Sequence, residues 1–174
     1  RLDAELSRET FEPIDIKSLL LAFHELRKFQ KRFEQKLLTI NIKEDEKQLL
    51  IFGHENRIVQ VIDNIVDNAV TFAPLNSKIH ITLNANTTSV KITIDDEGPG
   101  IPENKLEAIF QRFYSERPPA EKFGLHSGLG LSICKQIVEA HNGKIFAKNR
   151  TDYRNDIRGA RFIITLPIMN KSKV

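Results

Sequence analysis

Long apolar runs are missing from this sequence. The longest uninterrupted one covers residues 19–23, far short of the roughly 20 residues that cross a bilayer. Cysteine is nearly missing as well. Cys134 stands alone, so no disulfide can close within the chain, and a reducing, cytoplasmic setting is expected. Its neighbours Leu131, Ile133 and Ile137 mark it as a small buried hydrophobe rather than a reactive thiol. Strong charge of either sign is also lacking. A net +3 is too weak to argue for nucleic acid, and Lys31, Arg32, Lys36, Lys43 and Lys47 alternate with acids, as on a solvated face. Repeats and low-complexity tracts are absent. The charged opening, Arg1-Leu2-Asp3-Ala4-Glu5, does not read as a signal peptide. What is present is one domain's worth of chain: 174 residues, 40% hydrophobic and 28% charged.

The patterning divides it. Residues 1–10 are polar and helix-prone without a core stripe, and are expected to be the remnant of a helix belonging to a neighbouring part; Pro13 ends it. Asp15 can cap a helix running to about residue 35, with Leu19, Leu20, Phe23, Leu26 and Phe33 as its apolar side. Short strands are expected near 37–42 and 48–52. A strong helix covers about 56–72, where Ile58, Val61, Ile62, Ile65, Val66 and Ala69 recur at helical spacing until Pro74. Alternation predicts strands at 78–84 and 89–95. Gly98-Pro99-Gly100 opens an irregular stretch with a short helix near 103–110. Gly128-Leu129-Gly130 starts a helix to about His141, and Gly143 suits its C-terminal cap. A hairpin of 144–149 and 161–166, joined by a long turn, closes the pattern. Helices with antiparallel pairs and no regular β-α-β alternation predict an α+β two-layer sandwich.

Three pieces carry chemistry. Gln60, Asn64, Asn68 and Thr71 lie along one side of the long helix. Two asparagines a turn apart offer carbonyl oxygens to a hard cation and amides to phosphate oxygens, though an exposed amide stripe looks the same. Asp95-Asp96-Glu97-Gly98-Pro99-Gly100 follows an apolar strand. A carboxylate there can accept from an exocyclic amine, and glycines let backbone approach a flat ring; alone, the phrase is equally a turn. Ser127-Gly128-Leu129-Gly130-Leu131-Ser132 puts glycines before a helix N-terminus, where free N–H groups meet phosphate; a lone Gly-x-Gly is weak.

Order and spacing make the set specific. Asn64-Ile65-Val66-Asp67-Asn68-Ala69, Asp96-Glu97-Gly98-Pro99-Gly100-Ile101, Phe110-Gln111-Arg112-Phe113-Tyr114 and Ser127-Gly128-Leu129-Gly130-Leu131 resemble the N, G1, F and G2 boxes of bacterial sensor histidine kinases. The resemblance covers about 11–167. The phrase from Phe113 to Pro118, leading to Phe123-Gly124, looks like the alphaproteobacterial envelope-sensing kinases. The resemblance implies a Bergerat-type (GHKL) α/β sandwich, with a mixed, mostly antiparallel sheet covered on one face by helices. It implies ATP and Mg²⁺ as ligands. Asn68 would coordinate Mg²⁺ with Asn64 beside it; Thr71 would face the phosphates. Phe72 would pack on adenine, Asp96 accept from its N6 amine, and Gly98, Gly100 and Ile101 border the base. Ser127, Gly128, Leu129 and Gly130 would meet the phosphates. Phe110 and Phe113 would anchor the hinge of a lid, about 102–127, by packing against the domain. That segment is polar, and ordering it costs about 1–2 kcal/mol per residue, so closure on nucleotide is expected.

Three departures stand out. Thr71 replaces a usual Lys or Arg, which either lowers affinity or hands the task to Arg112 or Arg117. His54 replaces an Asp, and His126 replaces the first G2 glycine. His24-Glu25-Leu26-Arg27 imitates a phosphoacceptor box, but Lys28-Phe29 follows instead of Thr-Pro. The 44 positions from His24 to Asn68 leave too little chain for a helical hairpin. His54, His80, His126 and His141 read as structural or surface residues, and the acceptor is expected before Arg1. The resemblance thus implies a catalytic domain over 11–170, a tail at 171–174, and a partner dimerisation and phosphoacceptor hairpin. It also implies a cognate response regulator, a monomeric fragment, and a homodimeric longer protein in the bacterial inner membrane. Two alternatives stay open: a GHKL-type ATPase, which would want a glutamate where Asn64 stands, and a non-catalytic nucleotide-binding docking module.

Overall fold

The computed structural model describes residues 10–30, 37–42, 48–114 and 130–169. Strand β1 (Glu12–Asp15) leads directly into helix α1 (Ile16–Arg27). Asp15 is its cap: Oδ1 accepts from the amides of Lys17 at 3.1 Å and Ser18 at 3.3 Å. The helix buries Ile16, Leu19, Leu20 and Phe23. Two expectations are corrected. Helix α1 ends at Arg27 rather than near residue 35, and Leu26 is 74% exposed because it points off the apolar stripe. Phe33 lies outside the described residues. Pro13 does not simply break a helix: it sits in β1, opposite Phe52 of β3 (Leu50–Gly53), in a two-stranded antiparallel ribbon. A two-stranded ribbon has free edges, which tolerate the missing N–H.

The main sheet has the order β2-β4-β5-β7-β6. Its strands are β2 (Leu37–Ile42), β4 (Lys78–Ala85), β5 (Ser89–Asp95), β6 (Lys144–Thr151) and β7 (Ile157–Pro167). The β2–β4 pair is parallel and the rest are antiparallel. Alternation places Ile79, Ile81, Leu83, Val90, Ile92, Ile94, Phe162 and Ile164 in the core. Across them lie α2 (Glu55–Phe72), burying Ile58, Val61, Ile62, Ile65, Val66 and Ala69, and α3 (Gly130–Ala140), burying Cys134, Ile137 and Val138. Each such aliphatic contributes about 1.5–3 kcal/mol through burial. This is the α+β two-layer architecture.

Smaller corrections follow from local geometry. The short helix is two 3₁₀ turns, Glu103–Lys105 and Ala108–Phe110. At the end of α3 it is Asn142, at φ 55°, that takes the left-handed conformation. Gly143 serves packing instead: a Cβ there would lie 2.4 Å from the Thr165 carbonyl oxygen. The final hairpin is longer than its sequence suggests, with β6 reaching Thr151 and β7 starting at Ile157. His141 is structural, as expected. Its Nδ1–H donates to the Ile137 carbonyl at 2.7 Å, and Nε2 accepts from the His54 amide at 3.0 Å.

Candidate functional site

Helix α2 connects the three chemical motifs. Asn64, Asn68, Thr71 and Phe72 are all half-buried along it. Near its middle, Asn64 Nδ2 donates to the Gly130 carbonyl at 3.5 Å, at the first turn of α3. At its end, the Phe72 carbonyl oxygen lies 3.1 Å from where a Gly98 Cβ would be. Asn64 and Phe72 are therefore separated by about 12 Å of helix, at 1.5 Å per residue. The amide stripe, the acid-glycine turn and the glycine at the start of α3 share one rim. Ser127, Gly128 and Leu129 lie outside the described residues, as do Arg117, His126 and the rest of the expected lid beyond Tyr114.

Asp96 is the best-defined member. Strand β5 delivers it to the sheet's end, where its amide donates to the Ala160 carbonyl at 3.1 Å. The side chain is 4% exposed. Its Oδ1 accepts from Gly98 N at 2.7 Å and Ala160 N at 3.1 Å. Among the described residues no protein donor reaches Oδ2. Burial pushes this carboxyl above its ordinary value, opposed by the Ala160 and Gly98 amides and by nearby Arg150. Glycine is required around it. Gly100 has φ +78°, and a Cβ would strike Ile157 Cγ2 at 2.5 Å. Gly159 has φ +139°, and its Cβ would stand 1.9 Å from the Asp96 carbonyl oxygen.

Asn68 has a different character. Among the described residues its amide makes no hydrogen bond, and no cluster of three or more His, Cys, Asp or Glu side chains suits a metal. The Asn68 side-chain oxygen is a hard donor of the kind Mg²⁺ accepts, so this residue would be the one to hold the ion. Cys134 packs behind Asn64, fully buried, with Sγ 3.7 Å from the Val61 carbonyl. Burial pushes its thiol up to about 12, so it is not a nucleophile.

The two phenylalanines part company. Phe110 is buried, its ring edge-on to Phe162 at 6.3 Å. Phe113 is not packed against the domain as expected: it is 77% exposed, at φ 63°. The positive φ turns the chain at this point and carries the side chain outward. Arg112 is exposed.

Sequence reasoning missed the bracing of the acidic turn. Arg150 Nη1 donates to the Asp96 carbonyl at 2.5 Å, and Asn149 bonds the Ile101 main chain. Both residues are on β6, with Gly159 and Ala160 opposite on β7. A readable signal existed in Gly159, a lone glycine just before the expected strand 161–166, where a glycine can mark close backbone approach.

Comparison with known proteins agrees with this geometry. Residues 53–170 match the family described as histidine kinase-, DNA gyrase B- and HSP90-like ATPase. The sensor protein ChvG of Rhizobium meliloti is 39% identical over 173 residues, which covers 96% of this chain and 30% of that protein. The adaptive-response sensory kinase SasA of Synechocystis is 35% identical over 144 residues, 82% of this chain and 36% of that protein. The chain thus spans about a third of the length of these relatives. The catalytic domain of histidine kinase ThkA, nucleotide-free, superposes with a TM-score of 0.75 at 30% identity, covering 91% of this chain and 98% of that one. A matched family model over most of the chain, together with a relative 39% identical across nearly all of it, places the protein in the histidine kinase-, DNA gyrase B- and HSP90-like ATPase family, among the catalytic domains of sensor histidine kinases.

Proposed function

We propose that this chain binds Mg²⁺-ATP and transfers the γ-phosphate to a histidine on a separate helical-hairpin domain, as the catalytic part of a two-component sensor kinase. The observation that carries it is the rim of α2. A buried carboxylate with one free oxygen stands at one end, and two asparagines stand one and two turns back from Phe72. Asp96 Oδ2 takes the N6 amine of adenine. Phe72, Gly98, Gly100 and Ile101 border the base. Asn64, Thr71 and the G2 segment (Ser127, Gly128, Leu129 and Gly130) face the phosphates, with Arg112 and Arg117 as further basic groups. Asn68 holds Mg²⁺, which screens phosphate charge when bound. Phe110 anchors the lid hinge.

Asn64 separates a kinase from an ATPase. An amide cannot take a proton from water, so hydrolysis lacks a general base at that position. Transfer instead needs a nucleophile brought within roughly 3–3.5 Å of the γ-phosphate. The acceptor belongs to a hairpin for which residues 1–10 are at most a stub, leaving 11–170 as the catalytic domain. The chain alone is then a monomer, while the longer protein is a membrane-anchored homodimer that passes phosphate to a response regulator.

Radiolabelled ATP tests this. The chain alone should neither label itself nor release phosphate quickly. Added hairpin domain should acquire acid-labile phosphohistidine. Rapid release without labelling would favour the ATPase reading, and self-labelling lost in His24→Ala would make His24 the acceptor.

A further inference from the structure

The turn that carries Asp96 has two ends, and only one is tied by the sheet. At the first end Asp96 exchanges bonds with Ala160: Asp96 N donates to the Ala160 carbonyl, and Ala160 N donates to Oδ1. Beyond it run Glu97, Gly98, Pro99 and Gly100, with Gly100 at φ +78°. Gly98 N donates to Asp96 Oδ1 and Glu97 Oε2 accepts from Lys78 N, but neither bond fixes the far end beyond Gly100. We propose that Asn149 is a positioning residue for nucleotide-base selection, closing this turn at Ile101 and thereby aiming Asp96. The proposal rests on the base-binding role given to Asp96 above.

The geometry is specific. Asn149 Oδ1 accepts from Ile101 N at 2.7 Å, and Nδ2 donates to the Ile101 carbonyl at 2.7 Å. Nδ2 also reaches Glu103 Oε1 at 3.4 Å. One side-chain amide thus pairs both polar groups of one residue, as a neighbouring strand would in an antiparallel ladder. Asn149 stands opposite Ala160 in the β6–β7 register. The two ends of the turn are therefore held by facing residues of one hairpin. A Cβ on Gly100 would come within 2.7 Å of Asn149 Oδ1, so glycine at 100 is what permits the approach. Only an amide supplies both halves at this length. A carboxylate keeps the acceptor but sets a second oxygen against the Ile101 carbonyl, and alanine supplies neither.

The test compares ADP and GDP binding by calorimetry for the wild-type chain, Asn149→Ala and the isosteric Asn149→Asp. Wild type should prefer ADP by at least about tenfold. Both variants should lose most of that preference, with Asn149→Asp no better than Asn149→Ala although it fills the same space. A mere packing role would spare the isosteric variant, so wild-type selectivity in Asn149→Asp overturns the proposal. If wild type itself fails to discriminate, the base-site reading of Asp96 falls, and Ile101 amide exchange then decides the clasp separately. That exchange, measured in the wild-type chain, also covers variants that fail to fold. Strong protection supports the clasp, and exchange at the rate of an open loop overturns it.

Discussion

The two ends of α2 are built differently. At its C-terminal end the acidic turn is held by short bonds: 2.7 Å from Gly98 N to Asp96, 2.5 Å from Arg150, and two of 2.7 Å between Asn149 and Ile101. Two turns earlier, the described contact between Asn64 and Gly130 is a single bond of 3.5 Å, at the weak limit of hydrogen bonding. The base end draws its order from a sheet already fixed by its own ladder. The proposed phosphate end lies where α2 packs on α3, with Cys134 Sγ 3.7 Å from the Val61 carbonyl. On the proposed function, the base site would be preorganised, while the phosphate end would gain its remaining contacts from ligand and metal.

The largest effect should come from breaking the base end at its tightest point. Gly159→Ala forces a Cβ to 1.9 Å from the Asp96 carbonyl at φ +139°. It should cost about 3 kcal/mol of stability by denaturant titration and remove ADP binding. Gly143→Ala is the control: its Cβ meets the Thr165 carbonyl, away from the rim. It should destabilise comparably yet leave the affinity of the folded fraction unchanged. Equal loss of affinity in both would dissolve the contrast.

Next in size is Asp96→Asn. The new amide oxygen can still accept from Gly98 and Ala160, so the fold should hold. Its NH₂ would face the adenine amine, donor against donor, and ADP affinity should fall about a hundredfold by calorimetry. Unchanged affinity would remove Asp96 from the site.

Asn68→Ala probes the other end. It should lower Mg²⁺-ATP affinity about tenfold and leave metal-free ADP binding intact. A metal dependence that survives the substitution would assign Mg²⁺ elsewhere.

The smallest effect concerns pH. Burial raises the Asp96 carboxyl pKa in the folded state, so its protonated form is the better tolerated. The corresponding stability is fully present below the unfolded-state value and is lost as pH rises through the raised folded value. Wild type should thus lose stability relative to Asp96→Asn across that window. A difference of the opposite slope in urea titrations would show that the amides of Gly98 and Ala160 outweigh desolvation.

Much of this was legible in the chain itself. The stripe from Ile58 to Ala69 specified α2, and strict alternation specified β4 and β5, because periods of 3.6 and 2 are imposed by backbone geometry alone. Asp15 announced its cap. Motif order proposed Asn64, Asn68 and Asp96 as one site, and the structure sets the ends of α2 against Gly130 and Gly98. The errors cluster where local pattern is ambiguous. Leu26 belongs to a helix but not to its buried face, and Phe113 sits within a turn at positive φ and is exposed. The β6–β7 hairpin extends through Arg150 and Gly159, polar and small residues that look like loop.

By itself, the sequence determined the elements and the chemistry available at each position, since both follow from side-chain type and spacing along a chain. Only the tertiary structure decided which oxygen of Asp96 is free, that Gly159 must lack a side chain, and that Asn149 closes the turn at Ile101. Those facts depend on contacts between β5, β6 and β7 across more than 45 residues of chain. No local period encodes such contacts; strand register does.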